Sequence, residues 1–197
     1  DANGVPFGGF KPSTKLLKLK ELVEAIPKAD KLIVFSFFKA FLDLAEAMLE
    51  IEMGISCGRF DGDCSSQKDK SAVLHQFKEA DGPRALLATI QSGGTGLNIT
   101  VANHVIFADR WFNPQTMEQA ICRVDRIGQT KPTQITYIDA AGTFDEAVKS
   151  TCEAKLKNSE MVLCDGKTAI GSQQSDSMVT TAGILGNKLK EVFAART

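Results

Sequence analysis

Two segments of this chain carry residue types that meet phosphate. The first is Ser92-Gly93-Gly94-Thr95-Gly96-Leu97-Asn98, with three glycines within four residues. Glycine tolerates positive φ and lets the backbone come close to a ligand. Successive amides in such a loop can form an anion nest. The second is Gln119-Ala120-Ile121-Cys122-Arg123-Val124-Asp125-Arg126-Ile127-Gly128-Gln129. On a helix, Gln119, Arg123 and Arg126 share one stripe, while Met117, Ala120, Ile121, Val124 and Ile127 lie elsewhere. Two arginines on adjacent turns repel unless an anion sits between them. The planar guanidinium suits phosphate because it donates in pairs and never loses its charge. Each segment also has a plainer reading. Glycine-rich turns follow many strands, and two arginines can be a solvated face balanced by Asp109 or Asp125.

Other residues stand at the ends of expected strands. The Ser36 hydroxyl could meet a phosphate or cap the backbone. Arg59, in Arg59-Phe60-Asp61-Gly62, could reach an anion or pair with Asp61 or Asp63. Trp111-Phe112 could stack on a base or anchor the helix that follows. His75 and His104 have no serine or cysteine nucleophile patterned around them and read as structural. The acidic residues form no pair for hydrolysis. There is no G-x-x-x-x-G-K-[ST] and no D-E-x-H. The pieces that cradle the β- and γ-phosphates and hold Mg²⁺ are therefore not in this sequence.

Alternating strands and helices must position these groups. Ser13 caps a helix from about Thr14 to Ile26, and Lys31–Phe37 is an apolar run that suits a strand buried on both faces. The cycle continues with a helix over Phe41–Met53, a strand over Ile55–Phe60 and a helix over Ser66–Glu79. Strands follow at Arg84–Ile90 and Asn103–Asp109. Asn113-Pro114 opens a helix expected to run to about Ile127, with Gly128 as its stop. A last strand covers Thr133–Asp139, and Thr143-x-x-Glu146 is a capping box for a helix to about Lys157. Such alternation predicts a parallel sheet with right-handed crossovers, whose ligands lie at the carboxyl ends of strands. The Gly93 loop and Asp109 fall at such ends. Residues 1–12 read as a linker, 13–164 as one lobe, and 165–197 as a polar linker with a short terminal helix.

The bulk numbers bound the rest. The 197 residues are 43% hydrophobic and 24% charged, which fits a globular domain with one sizeable core. The formal net charge of −1 means that any nucleic-acid contact uses a local patch. Five cysteines without a C-x-x-C pair predict free thiols in a reducing compartment and no zinc site. No run of membrane length is present. A start at Asp1 rather than methionine suggests an excised fragment.

Taken in order, these segments resemble the second RecA-like lobe of a superfamily 2 helicase-type ATPase, and more narrowly the SWI/SNF-like double-stranded-DNA translocases. The resemblance covers about residues 12–164. Leu32–Phe37 is similar to motif IV and Arg59-Phe60-Asp61-Gly62 to R-L-D-G. Thr89–Asn98 is similar to motif V, Asp109–Pro114 to D-x-x-W-N-P, and Gln119–Gln129 to motif VI, Q-A-x-D-R-x-H-R-I-G-Q. The sequence departs at Cys122, where an acidic residue is usual, at Asp125, where histidine is usual, and at Arg110. Lys70 stands in for the arginine that follows the D-G turn. The Trp111-Phe112 pair is similar to the W-W-N-P of the branch whose members often carry a RING finger and act in DNA-damage tolerance.

This resemblance implies an α/β fold of RecA-like, P-loop NTPase type, with helices on both faces of a parallel sheet. It implies that Arg123 and Arg126 are arginine fingers reaching ATP held by an N-terminal lobe, which also holds Mg²⁺. Gln119 aligns that surface, and Gly94 and Gly96 face the nucleotide. Ser36, Arg59, Ser92, Gly93 and Thr95 face the DNA backbone. The partners implied are that first lobe, double-stranded DNA and nucleosomes, in chromatin remodelling or DNA repair in the nucleus, with no membrane. The fragment alone is expected to be inactive. Two rival readings are a non-catalytic nucleic-acid-binding or interaction module and an RNA helicase lobe. A Walker-type loop and a D-E-x-H box upstream separate the motor from the module.

Overall fold

The structure, a computed structural model, describes residues 12–62, 67–92 and 98–165. The chain divides into two compact units. One comprises residues 1–109 and 118–138, the other residues 110–117 and 139–197.

The first unit is built on a five-stranded parallel sheet. Its strands are β1 (Lys31–Ser36), β2 (Cys57–Phe60), β3 (Ala85–Thr89), β4 (Ala102–Phe107) and β5 (Gln134–Tyr137), in the spatial order β2-β3-β1-β4-β5. All four pairings are parallel. The α/β fold expected from the sequence is thus the one observed. The three central strands are mostly apolar and buried along their length, as a parallel sheet covered on both faces requires. Leu32 to Ser36, all of β3 and all of β4 are buried. Edge strand β2 alternates half-buried and buried residues, as one covered face requires. A core of Leu16, Leu19 and Val23 from α1 (Thr14–Ala25), Leu42 from α2 (Lys39–Ala47), and Leu32, Val34 and Leu87 from the sheet packs on one side.

Local chemistry explains most element ends. The Ser13 hydroxyl accepts from the Leu16 amide at 3.3 Å and caps α1. The sequence predicts one helix over 41–53. The structure instead has α2 followed by a five-residue π-helical segment, Met48–Glu52. Helix α3 (Gln67–Lys78) returns to β3 through Gly82. A Cβ there would lie 1.8 Å from the Gln76 carbonyl oxygen, so only glycine fits. Lys31 ties that turn to β1 by donating to the carbonyls of Phe77 and Glu79 at 2.7 and 2.6 Å.

In the second unit, the Asn113 side chain accepts from the Gln115 amide at 3.1 Å, and Pro114 is the first residue of α4 (Pro114–Ile121). That cap is the expected one. Helix α5 (Phe144–Asp165) opens differently from the predicted capping box. Thr143 Oγ1 accepts from the Asp145 amide, and the Asp145 carboxylate, not Glu146, reaches back, to the Ala140 amide at 2.9 Å. Phe112 makes edge-on ring contacts with Trp111 and Phe144, and the Cys152 thiol donates to the Trp111 carbonyl. Trp111-Phe112 thus serves as an anchor within this unit. Arg110 forms a two-pronged pair with Asp139 at 2.6 and 2.9 Å.

Candidate functional site

The carboxyl ends of β1, β3 and β4 lie side by side, with Ser36 opposite Thr89 and Phe35 opposite Phe107. Asp109 closes this end. It is buried, and its Oδ2 accepts from the Ser36 hydroxyl and the Phe37 amide, both at 2.7 Å. The Ser36 side chain is therefore fully buried and engaged, and it also accepts from the Phe38 amide at 3.0 Å. In this structure the hydroxyl caps the backbone after β1. Ser92 is similar. It is buried, its hydroxyl bonds the Phe60 and Thr89 carbonyls at 2.9 and 2.8 Å, and it lies 2.8 Å from Thr89 Oγ1. Gly93, Gly94, Thr95 and Gly96 lie outside the described residues.

Arg59 at the end of β2 is held on three sides. It pairs with Asp61 at 2.6 Å, Asp43 at 2.6 Å and Glu46 at 3.0 Å. Burial pushes its pKa down, but the bonds to Asp61 and Asp43 outweigh this and raise it. Of the expected alternatives, pairing with Asp61 is what the structure shows. A phosphate would compete with three carboxylates for this guanidinium. Lys70 lies over the Phe60 ring at 5.9 Å.

The arginine segment is placed elsewhere than these groups. Helix α4 stops at Ile121, six residues before the expected end. Beyond it the bonds tighten: the Arg123 and Val124 amides donate to carbonyls three residues back, at 3.2 and 2.8 Å. The Arg123 carbonyl, free of any helical role, accepts from the Ile99 amide at 2.9 Å. Gly128, at φ +106°, then turns the chain, a conformation that L side chains rarely adopt. Gln129 folds back beneath the turn, donating from Nε2 to the Ala102 carbonyl at 2.7 Å. Ala102 is the first residue of β4, so the segment is anchored beside the amino end of that strand. Ser36, Ser92 and Asp109 stand at the carboxyl ends. Residues 92–102 connect the two regions.

Within the segment the side chains differ. Gln119 and Arg126 are exposed, and Ile127 is 98% exposed. Arg123 is half-buried, and its Nε is buried with no hydrogen-bond partner among the described residues. Burying a guanidinium N–H unpaired costs free energy unless an acceptor arrives. An anion such as a phosphate oxygen fits that orphan donor, so the residues present are suited to the nucleotide that the motifs imply. Among the described residues no group of three or more His, Cys, Asp or Glu is placed to hold a metal ion.

Sequence reasoning missed two working groups. The sequence offers Asp109 as a charge balancing an arginine, whereas in the structure it ties β1 to β4. Gln129, in the sequence only the end of a motif, bonds the Ala102 carbonyl. The signal for it is a glutamine directly after Gly128, whose positive φ turns the chain.

A RecA-like lobe that presents arginines, in a sequence without a G-x-x-x-x-G-K-[ST] run, is the class that fold and motifs define. Residues 14–128 match the helicase conserved C-terminal domain, and the chain belongs to that family. It is 37% identical over 174 residues to the DNA repair protein RAD5 of Cryptococcus neoformans, a match covering 82% of this chain and 14% of that protein. It is 33% identical to the DNA repair protein rad8 of Schizosaccharomyces pombe, again over 82% of this chain and 14% of the relative. Among solved structures it resembles the C-terminal part of the Fun30 ATPase domain, with a TM-score of 0.69, 26% identity, and coverage of 91% of this chain and 55% of that one. The chain thus spans about one seventh of the length of these curated relatives. The expected kinship with the helicase-type ATPases is borne out.

Proposed function

We propose that this chain is the second ATPase lobe of a SWI/SNF-like, ATP-dependent translocase on double-stranded DNA that acts in DNA repair or chromatin remodelling in the nucleus. Arg123 and Arg126 stabilise charge that develops on the γ-phosphate of ATP. A first lobe of the same protein holds that nucleotide and its Mg²⁺. The observation that carries this reading is the buried Nε of Arg123, without a partner among the described residues, in the same segment as exposed Arg126. Donors aimed at developing charge act without reorganising, and arginine fingers are worth about 10³–10⁵ in rate. Gln119 aligns this surface, and Gly94 and Gly96 complete the nucleotide side. Gly93 and Thr95, with Ser92 as their anchor, approach the DNA backbone. DNA is gripped through phosphates and not read by base, which suits a chain with no overall positive charge.

In the full-length protein, Arg126→Ala should abolish DNA-stimulated ATP turnover while ATP binding persists. Turnover near wild type would remove Arg126 from the finger role. Stimulation by RNA in place of duplex DNA would instead support an RNA helicase.

A further inference from the structure

We infer that Gln129 is a positioning residue for the arginine fingers, and that its side-chain amide locks the finger segment to the strand that follows the glycine-rich loop. This inference rests on the finger reading of Arg123 and Arg126. The segment from Arg123 to Gln129 has two feet and a bare crown. One foot is the bond from the Ile99 amide to the Arg123 carbonyl at 2.9 Å. The other is Gln129, which uses both halves of its amide. Nε2 donates to the Ala102 carbonyl at 2.7 Å and to the Val124 carbonyl at 3.4 Å. Oε1 accepts from the Thr130 and Lys131 amides at 3.0 and 3.1 Å. The Gln129 amide also donates to the Arg126 carbonyl at 2.9 Å, closing the turn through Gly128.

The crown consists of Arg126 and Ile127, both exposed. Neither side chain is packed into the core, so Arg126 stands where the two feet and the buried Val124 between them hold the segment. Both feet also reach the same short stretch, Ile99 to Ala102, which emerges from the 92–98 loop. Residues 99–102 and the finger segment are therefore joined by hydrogen bonds.

The amide can be divided by mutation. Gln129→Glu keeps an acceptor for Thr130 and Lys131 but loses the donor to Ala102 and Val124. Misplacing a reacting group by about 1 Å can cost up to about 100-fold in rate. In the full-length protein, Gln129→Glu should therefore lower kcat for DNA-stimulated ATP hydrolysis by roughly 10- to 100-fold with KM for ATP within about twofold. The assay is run well below the melting temperature of the variant. Gly128→Ala strains the same foot through the backbone and leaves the amide intact, and it should show the same kcat-selective loss. It carries the test if Gln129→Glu does not fold. Wild-type kcat in either folded variant, with only a lower melting temperature, makes Gln129 purely structural and overturns the inference. Arg126→Ala is assayed alongside. If it is inactive while Gln129→Glu is wild type, only the positioning role fails. If Arg126→Ala itself turns over normally, the finger reading fails first.

Discussion

Arg123 uses its main chain and its side chain for opposite ends. Its carbonyl anchors the segment to Ile99, whereas its buried Nε has no acceptor among the described residues. A buried donor left unmade costs about 1–3 kcal/mol, and an apolar group of similar shape removes that cost. Arg123→Met should therefore leave the melting temperature of this chain unchanged or raise it, while abolishing ATP turnover in the full-length protein. Gain of stability with loss of function is the expected mark of a side chain kept for a ligand. Calorimetry of the two chains decides the matter. A drop of several degrees for Arg123→Met would mean that the guanidinium is a structural group, and the orphan donor would lose its meaning.

At the scale of elements, Asp109 shows how much one carboxylate can organise. It holds the turn after β1 through the Ser36 hydroxyl and the Phe37 amide, and it does so from the end of β4. Asp109→Ala removes the acceptor that the Ser36 hydroxyl and the Phe37 amide share, and hydrogen bonds to charged groups are worth about 1.5–3 kcal/mol each. The expected loss is about 2–5 kcal/mol, read as a lower denaturant midpoint at unchanged slope. Asp109→Asn, which keeps an acceptor oxygen, should lose less. Equal losses for the two variants would show that the hydrogen bonds do not matter. No such link was legible in the sequence, because the partners are 73 residues apart. What was legible is local. The apolar runs of β1, β3 and β4 gave a buried parallel sheet, and Ser13 and Asn113 gave the caps. The stripe of Gln119, Arg123 and Arg126 was drawn on a helix that ends at Ile121, because helical periodicity cannot register that Ile99 recruits the Arg123 carbonyl. The residue types of the site were thus readable, and their placement, which depends on a bond between distant segments, was not.

For the sheet-bearing unit as a whole, the amino end is held by charge while the centre is held by apolar burial. Asp30, just before β1, receives Lys131 at one oxygen, and at the other Asn103 at 3.1 Å and His104 at 3.2 Å. It thereby joins the approaches to β1, β4 and β5, the end to which Gln129 also anchors the fingers. Lys131 first, then Asn103 and, more weakly, His104 hold the Asp30 carboxyl down at about 2, against the opposing effect of burial. Its ordinary value in an unfolded chain is about 3.9. Because the folded value is depressed, the stabilisation is fully present above about pH 4 and is lost as pH falls through about 2. Over that window the melting temperature of the wild-type chain should fall more steeply than that of Asp30→Asn, which cannot titrate there. Above pH 5 the variant should be uniformly less stable, and near pH 2 the two curves should converge. Other carboxylates titrate in both proteins and cancel in the difference. Parallel curves from pH 6 to pH 2 would show that Asp30 is not the acid-sensitive link. Convergence, with amide exchange rising first at residues 99–104 and 129–134, would show that the charge cluster at the amino end and the footing of the fingers loosen together.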